Sequence, residues 1–364
     1  MTAPPRSLLN LHVQPDHVPL PPGNEIERFH RKMIGYAETP LRPLDTLTRG
    51  FDVASVLMKD ESDRFGLPSF KSLGASWALE QAVRCDGSIH TVVAASAGNH
   101  GRAVARCAAQ RGLACRIYLP FDSSADRARL IAGEGAEVVS VDGGYDEAVE
   151  VAEHCARQPG TVLVADVSRT LDAVVPGWVT DGYSTLFREI SRQAHEPVEV
   201  VLVPVGVGSL AAAAVRWAVH EAPGARVVGV EPANAACVTE SLRVGERVTV
   251  ATPGTTLAGL NCPTPSAVAW PTVRDGLSGT VTVHDPEVHD AMRALSAVGL
   301  RIGDCGAATL AALRALVSEP TCRALRDEVG LGDATRVICI GTEGASDPVA
   351  YRAVLGSGAG TTSS

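Results

Sequence analysis

Val200-Val201-Leu202-Val203-Pro204-Val205-Gly206-Val207-Gly208-Ser209-Leu210 is a branched apolar run, then two glycines, then the start of the alanine stretch Ala211–Ala214. The apolar residues do not alternate with polar ones, so the strand they form must be covered on both faces. That is the condition of a strand inside a parallel sheet. Parallel neighbours need crossovers, and helix-patterned segments lie between runs of this kind throughout the chain. Strands are expected at Thr91–Ala95, Cys115–Leu119, Glu137–Val141, Val162–Ala165, Glu199–Val203, Val227–Val230 and Arg336–Ile340. Helices are expected at about 101–111, 124–133, 145–157, 181–193, 209–221, 286–298 and 306–318. The fold class is therefore α/β, with mostly parallel sheets flanked by helices.

The strands between 76 and 194 read as one sheet and those at 199, 227 and 336 as another. This gives a small domain over 76–194 and a large domain from 25–75 and 195–355. The proline-rich segment 1–24 is expected to be extended or loosely held, and the Gly/Ser/Thr stretch 356–364 to be a disordered tail. No repeat of 20–50 residues is present.

A length of 364 residues suits two cores, and 45% apolar with 20% charged residues is an ordinary globular composition. A net charge of −9 without a Lys/Arg cluster argues against nucleic acid as a partner. No apolar run reaches the roughly 18 residues of a membrane span, and no secretory signal opens the chain. The nine cysteines form no CxxC pair, and several sit in apolar runs such as Val337-Ile338-Cys339-Ile340. They read as reduced core thiols in a cytoplasmic protein, and no metal site is expected.

Gly206-Val207-Gly208-Ser209-Leu210, between strand and helix, can turn several backbone N–H groups toward an anion, with the positive helix start behind them. A dinucleotide fingerprint would need glycine at Ala211, so a phosphate cup is favoured, with a purely structural turn as the alternative. Ser96-Ala97-Gly98-Asn99-His100-Gly101 has the same placement and suits a carboxylate. Asn99 offers an amide to a phenolate oxygen, and His100 reads as a supporting group more than a catalyst. Lys71, in Pro68-Ser69-Phe70-Lys71-Ser72-Leu73-Gly74, is the sole lysine of residues 60–120. Burial there would lower its pKa and free the amine for a Schiff base. Lys59, its alternative, lies among acids and should stay charged. Thr342 places a hydroxyl beyond a buried strand, at the edge where open α/β sheets bind ligands. Against a pyridine nitrogen it would leave the ring largely neutral. An amine, two anion cups and a ring partner together read as a site for pyridoxal 5'-phosphate.

The ordered set Phe29-His30-Arg31-Lys32, Thr39-Pro40-Leu41, Arg64-Phe65-Gly66-Leu67, Asn99-His100-Gly101-Arg102, Pro176-Gly177-Trp178 and Asp181-Gly182-Tyr183 resembles the two-domain, fold-type II pyridoxal phosphate enzymes of the tryptophan synthase β group. Val230-Glu231-Pro232, Thr256-Leu257-Ala258-Gly259-Leu260, Gly303-Asp304-Cys305-Gly306 and Thr342-Glu343-Gly344 extend the resemblance over most of 29–355. Within that group the chain is most similar to diaminopropionate ammonia-lyases.

The resemblance implies that Lys71 is the covalent anchor and that Gly206, Val207, Gly208, Ser209 and Leu210 bind the phosphate. It also implies that Asn99 contacts the ring oxygen and that Ser96, Ala97, Gly98 and Asn99, with His100, hold the substrate. It makes Asp166 an active-site carboxylate and the protein a homodimer. The ammonia-lyases carry aspartate where this chain has Ala97, so D-substrates are expected to be poor. SAGNH is also similar to serine/threonine dehydratases. The implied reaction is α,β-elimination from a β-substituted amino acid, giving pyruvate and ammonia from L-2,3-diaminopropionate. A dehydratase, a β-replacement through an aminoacrylate and a non-catalytic cofactor-binding protein stand as alternatives.

Overall fold

The computed structural model describes residues 3–356. Its strands are β1 (Ser7–Leu9), β2 (Leu41–Pro43), β3 (Ser55–Asp60), β4 (Thr91–Ala95), β5 (Ala114–Pro120), β6 (Glu137–Val141), β7 (Thr161–Leu163), β8 (Val200–Pro204), β9 (Arg226–Pro232), β10 (Gly279–Val283) and β11 (Arg336–Gly341). The larger sheet has the order β1-β10-β9-β8-β11-β3-β2 and the smaller one β6-β5-β4-β7. Pairing is parallel everywhere except at the large sheet's edges, where β1 and β2 run antiparallel.

Strand β8 is buried at every position, as its sequence requires. Successive side chains leave a strand on opposite faces. Val201 and Val203 accordingly join the cluster that contains Ala211, Ala212 and Val215 of the helix Ser209–His220. Val200 and Leu202 join the cluster that contains Ala308 and Ala312 of the helix Asp304–Ser318. Small alanine side chains let both helices approach the sheet closely. Each fully buried Val or Leu contributes roughly 1.5–3 kcal/mol relative to exposure.

Four strands lie outside the expected set, each for a physical reason. Strands β1 and β2 are three residues long and sit at sheet edges. Strand β10, Gly279-Thr-Val-Thr-Val283, buries its threonines, with the hydroxyls of Thr280 and Thr239 2.8 Å apart. Strand β3 carries Lys59, whose charge is taken up by a partner distant in sequence. The helix Lys71–Cys85 was also not expected. Nine of its 15 residues are buried, so it lacks the one-sided apolar stripe that marks a surface helix. The domain boundary expected at 75/76 falls inside this helix. The helix expected over 181–193 is broken, Val174–Gly182 being followed by Ser184–Gln193.

Residues 3–24 of the N-terminal segment are largely extended, with one helical turn at Pro15–His17, and they are docked. Strand β1 pairs with β10, and Arg6 reaches Glu287 at 2.7 Å and Glu319 at 2.6 Å. Of the expected tail, Gly356 closes the helix Pro348–Gly356, and residues 357–364 lie outside the described residues.

Candidate active site

The site forms where parallel strands end. Beyond β8 the chain turns through Gly206 and Gly208 into the helix Ser209–His220. Gly208 sits at φ +97°, a left-handed conformation that strains any residue with a Cβ. A Cβ on Gly206 would lie 2.9 Å from the Gly259 carbonyl oxygen and 3.1 Å from Cys262 Sγ, so glycine keeps this cradle open. Beyond β4, Ser96–Gly98 lead into the helix Asn99–Gln110, whose first N–H groups have no partner within the helix. Gly101 is required here, because a Cβ would lie 2.2 Å from the Ser96 carbonyl oxygen.

Lys71 opens its helix from the large-sheet side. Its Nζ donates to Asp166 Oδ2 at 2.6 Å, and their side chains are 21% and 20% exposed. The rings of Phe70 and Tyr183 flank the amine, with centroids at 5.2 and 5.9 Å. Burial alone would lower the Lys71 pKa, as the sequence suggested. The Asp166 carboxylate overrides it, and the amine is held well above the ordinary lysine value. This corrects the expectation of a freed amine: beside Asp166 the group is an ammonium. Burial likewise acts to raise Asp166, and the Lys71 ammonium overrules it and holds the carboxyl well below its usual range.

Ser209 Oγ donates to the Asp166 carbonyl oxygen at 2.9 Å, which ties the cradle to this pair. His100 is 5% exposed, and its Nε2 lies 2.8 Å from the Val164 carbonyl oxygen. Its Nδ1 lies 3.9 Å from Asp166 Oδ2. The structure thus brings Lys71, Asp166, His100 and Ser209 together. Ser96, Ala97 and Asn99 are partly exposed and Gly98 is exposed, as a ligand-facing turn requires.

Thr342 is buried beyond β11, and the Phe70 N–H donates to its carbonyl oxygen at 3.2 Å, so it lies beside the Lys71 helix. Its hydroxyl donates to Glu343 Oε2 at 2.9 Å. A hydroxyl engaged in this way offers another group its lone pairs and not its proton, which changes the partner expected for a ring nitrogen. Lys59, the alternative anchor, is fully buried and donates to Glu189 at 2.7 Å, to the Thr39 carbonyl oxygen and to Gln193. It is committed to the core. Tyr183, Gly259 and Cys262 complete the site and were not singled out as site residues from sequence. Tyr183 and Gly259 do lie in the motifs that carry the family resemblance.

A partly buried lysine at a carboxylate, a glycine cradle closed to any Cβ and a helix start behind it fit an aldehyde-bearing phosphate ester. An open hollow of about 580 Å³ between Asn24, Arg28, Arg31, Arg188 and Glu221 includes none of these residues.

Comparison with known proteins agrees. The family model described as "Pyridoxal-phosphate dependent enzyme" matches residues 33–340. The diaminopropionate ammonia-lyase of Salmonella typhimurium is 32% identical over 381 residues, covering 92% of each chain. The biosynthetic L-threonine dehydratase of Escherichia coli is 31% identical over 211 residues, covering 58% of this chain and 39% of the relative. The crystal structure of the Escherichia coli diaminopropionate ammonia-lyase in complex with an aminoacrylate-PLP azomethine reaction intermediate superposes with a TM-score of 0.89 at 30% identity, covering 98% of each chain.

Proposed function

Because this chain belongs to the pyridoxal-phosphate-dependent enzyme family, we propose that it eliminates ammonia from L-2,3-diaminopropionate, giving pyruvate and a second ammonia. The observation that carries the reading is the Lys71–Asp166 pair at 2.6 Å beside the glycine cradle. Lys71 Nζ would hold the cofactor, and residues 206–210 its phosphate. Asn99 would contact the ring oxygen and Thr342 the ring nitrogen. When bound, the cofactor supplies an aldehyde for covalent capture of the amino group and a ring that disperses negative charge from Cα.

The protein groups do the rest. The Ser96–Asn99 turn takes the substrate carboxylate on backbone N–H groups. Lys71 Nζ removes the α-proton, and Asp166 recognises the β-ammonium group and keeps it protonated until it leaves. Ala97 has no group that moves a proton, and on that ground the D-isomer is expected to be a poor substrate. Cysteines such as Cys107, Cys322 and Cys339, used as small core residues, support a reducing cytoplasm as the working compartment. We propose a homodimeric state on the family resemblance alone.

The test is an assay of pyruvate and ammonia on L- and D-2,3-diaminopropionate, L-serine and L-threonine. The reading expects two equivalents of ammonia per pyruvate from the L-diamine, with the D-isomer and hydroxy amino acids much slower. Turnover of serine without turnover of the diamine would establish the dehydratase alternative. A new β-substituted amino acid in place of keto acid would establish β-replacement. Covalent cofactor uptake with no turnover of any of these would leave a binding protein.

A further inference from the structure

His100 is 5% exposed, and each of its ring nitrogens has a decided role. Nε2 lies 2.8 Å from the Val164 carbonyl oxygen, which can only accept, so Nε2 carries the hydrogen. In the neutral ring Nδ1 is then a bare lone pair. It is buried and has no hydrogen-bond partner among the described residues. It faces Asp166 Oδ2, another acceptor, at 3.9 Å, and the same oxygen holds Lys71 Nζ at 2.6 Å. Two acceptors set against each other in a buried place gain nothing until a proton arrives between them. A buried orphan of this kind has a cost that one proton removes.

Lys71 supplies that proton. An ammonium cannot attack an aldehyde, so Nζ must lose a proton before any covalent bond forms. We propose that His100 is a positioning residue that stores this proton: Nδ1 receives it through Asp166 Oδ2 as Lys71 gives it up. The balance is simple. Ammonium, carboxylate and neutral imidazole become amine, carboxylate and imidazolium, and the three groups keep a total charge of zero throughout. Asp166 never loses a counter-ion, because His100 replaces Lys71 in that role. A small swing of the carboxylate once it is released by Lys71, or one bridging water, closes the 3.9 Å gap. Tyr145, Tyr183 and Cys262 are the other titratable groups that feel Asp166. Tyr183 is raised by its burial, Cys262 by its partial burial, and Tyr145, half exposed, also by the Asp166 charge, so all three stay neutral near neutral pH. The inference rests on Lys71 as the anchor and is independent of which β-substituent leaves.

The test is ¹⁵N-histidine NMR of the cofactor-loaded enzyme, the same enzyme stripped of cofactor, Lys71→Met, and Lys71→Met/Asp166→Asn. His100 is assigned by its absence in His100→Gln, and the other nine histidines report that each variant is folded. We expect Nδ1 to be unprotonated near neutral pH in the stripped wild type. At the same pH the Nδ1 signal should move to that of a protonated ring nitrogen in the loaded enzyme and in Lys71→Met. The double variant should return to the stripped behaviour. A bare Nδ1 signal in Lys71→Met overturns the proposal. A protonated signal in Lys71→Met without one on loading overturns Lys71 as the anchor and the proton's origin with it. Neither readout depends on turnover, so failure of the elimination assay leaves the test intact.

Discussion

At the scale of single residues the ring-nitrogen partner turns on Glu343. Burial first, then Asp304, push its carboxyl from 4.5 up to about 7, while Oε1 accepts the Gly306 N–H at 3.0 Å and Oε2 the Thr342 hydroxyl at 2.9 Å. Protonated, Glu343 can donate to Thr342 and release that hydroxyl's own proton toward a ring nitrogen. Ionised, it holds the proton itself. The stability consequence has a definite sign. A carboxyl whose folded pKa lies above its unfolded value favours the fold fully below about 4.5, and that contribution is lost as pH rises through 7. The amount is on the order of 3 kcal/mol. Glu343→Gln cannot titrate. In urea unfolding, the wild type should therefore lose stability relative to the variant between about pH 5 and about pH 8, by that order. Parallel pH profiles would refute the assignment. Lys71, the Gly206–Leu210 loop and Thr342 were legible in sequence because each is a local motif beside a strand or turn. Asp166 lies 95 residues from Lys71, and residue chemistry alone read it as a strand-end turn. Only the family resemblance raised it, and nothing local announced its meeting with His100.

At the scale of elements, two glycines set the position of the Lys71 helix. A Cβ on Gly74 would lie 2.6 Å from Tyr183 Cε1 and 2.8 Å from the Val179 carbonyl oxygen. A Cβ on Gly182 would lie 2.5 Å from the Leu73 carbonyl oxygen. The helices Lys71–Cys85 and Val174–Gly182 therefore touch backbone to backbone, one turn from the amine. Overpacking such a contact costs about 1–3 kcal/mol. Gly74→Ala should lower the thermal midpoint by several degrees and weaken cofactor retention, because the displaced helix carries Nζ away from Asp166. Gly87→Ala, where a Cβ meets nothing within 4 Å, is the control and should change neither. Equal behaviour of the two variants in calorimetry and cofactor dialysis would remove the glycine contact from the account. Burial also explains why this helix was not legible from sequence while β8 was. A strand buried on both faces still reads as an unbroken apolar run. A helix buried nearly all round by glycine, alanine and serine has neither a stripe nor a distinctive composition.

At the scale of the whole molecule, the small sheet returns to the large one through a buried ionic knot. Glu189, on the helix Ser184–Gln193, accepts from Lys59 of β3 at 2.7 Å, from Arg64 at 2.7 and 2.8 Å, and from Tyr36 at 3.0 Å. Glu61 completes the set with Arg64 at 2.6 Å. Two cations and two anions thus balance with almost no water access. Burial drives Lys59 down from its ordinary value, and only the carboxylates oppose it. Glu189→Gln leaves both cations with Glu61 alone, and breaking a buried set in this way costs about 3–5 kcal/mol. The urea midpoint should fall accordingly. The double change Lys59→Met/Glu189→Gln removes one charge of each sign and should cost less than the sum of its single changes, since the partners are in direct contact. A Glu189→Gln loss below about 1 kcal/mol would mean that water reaches the knot. The join between the sheets, on which the placing of Lys71 against Asp166 depends, would then have to be carried by apolar packing alone.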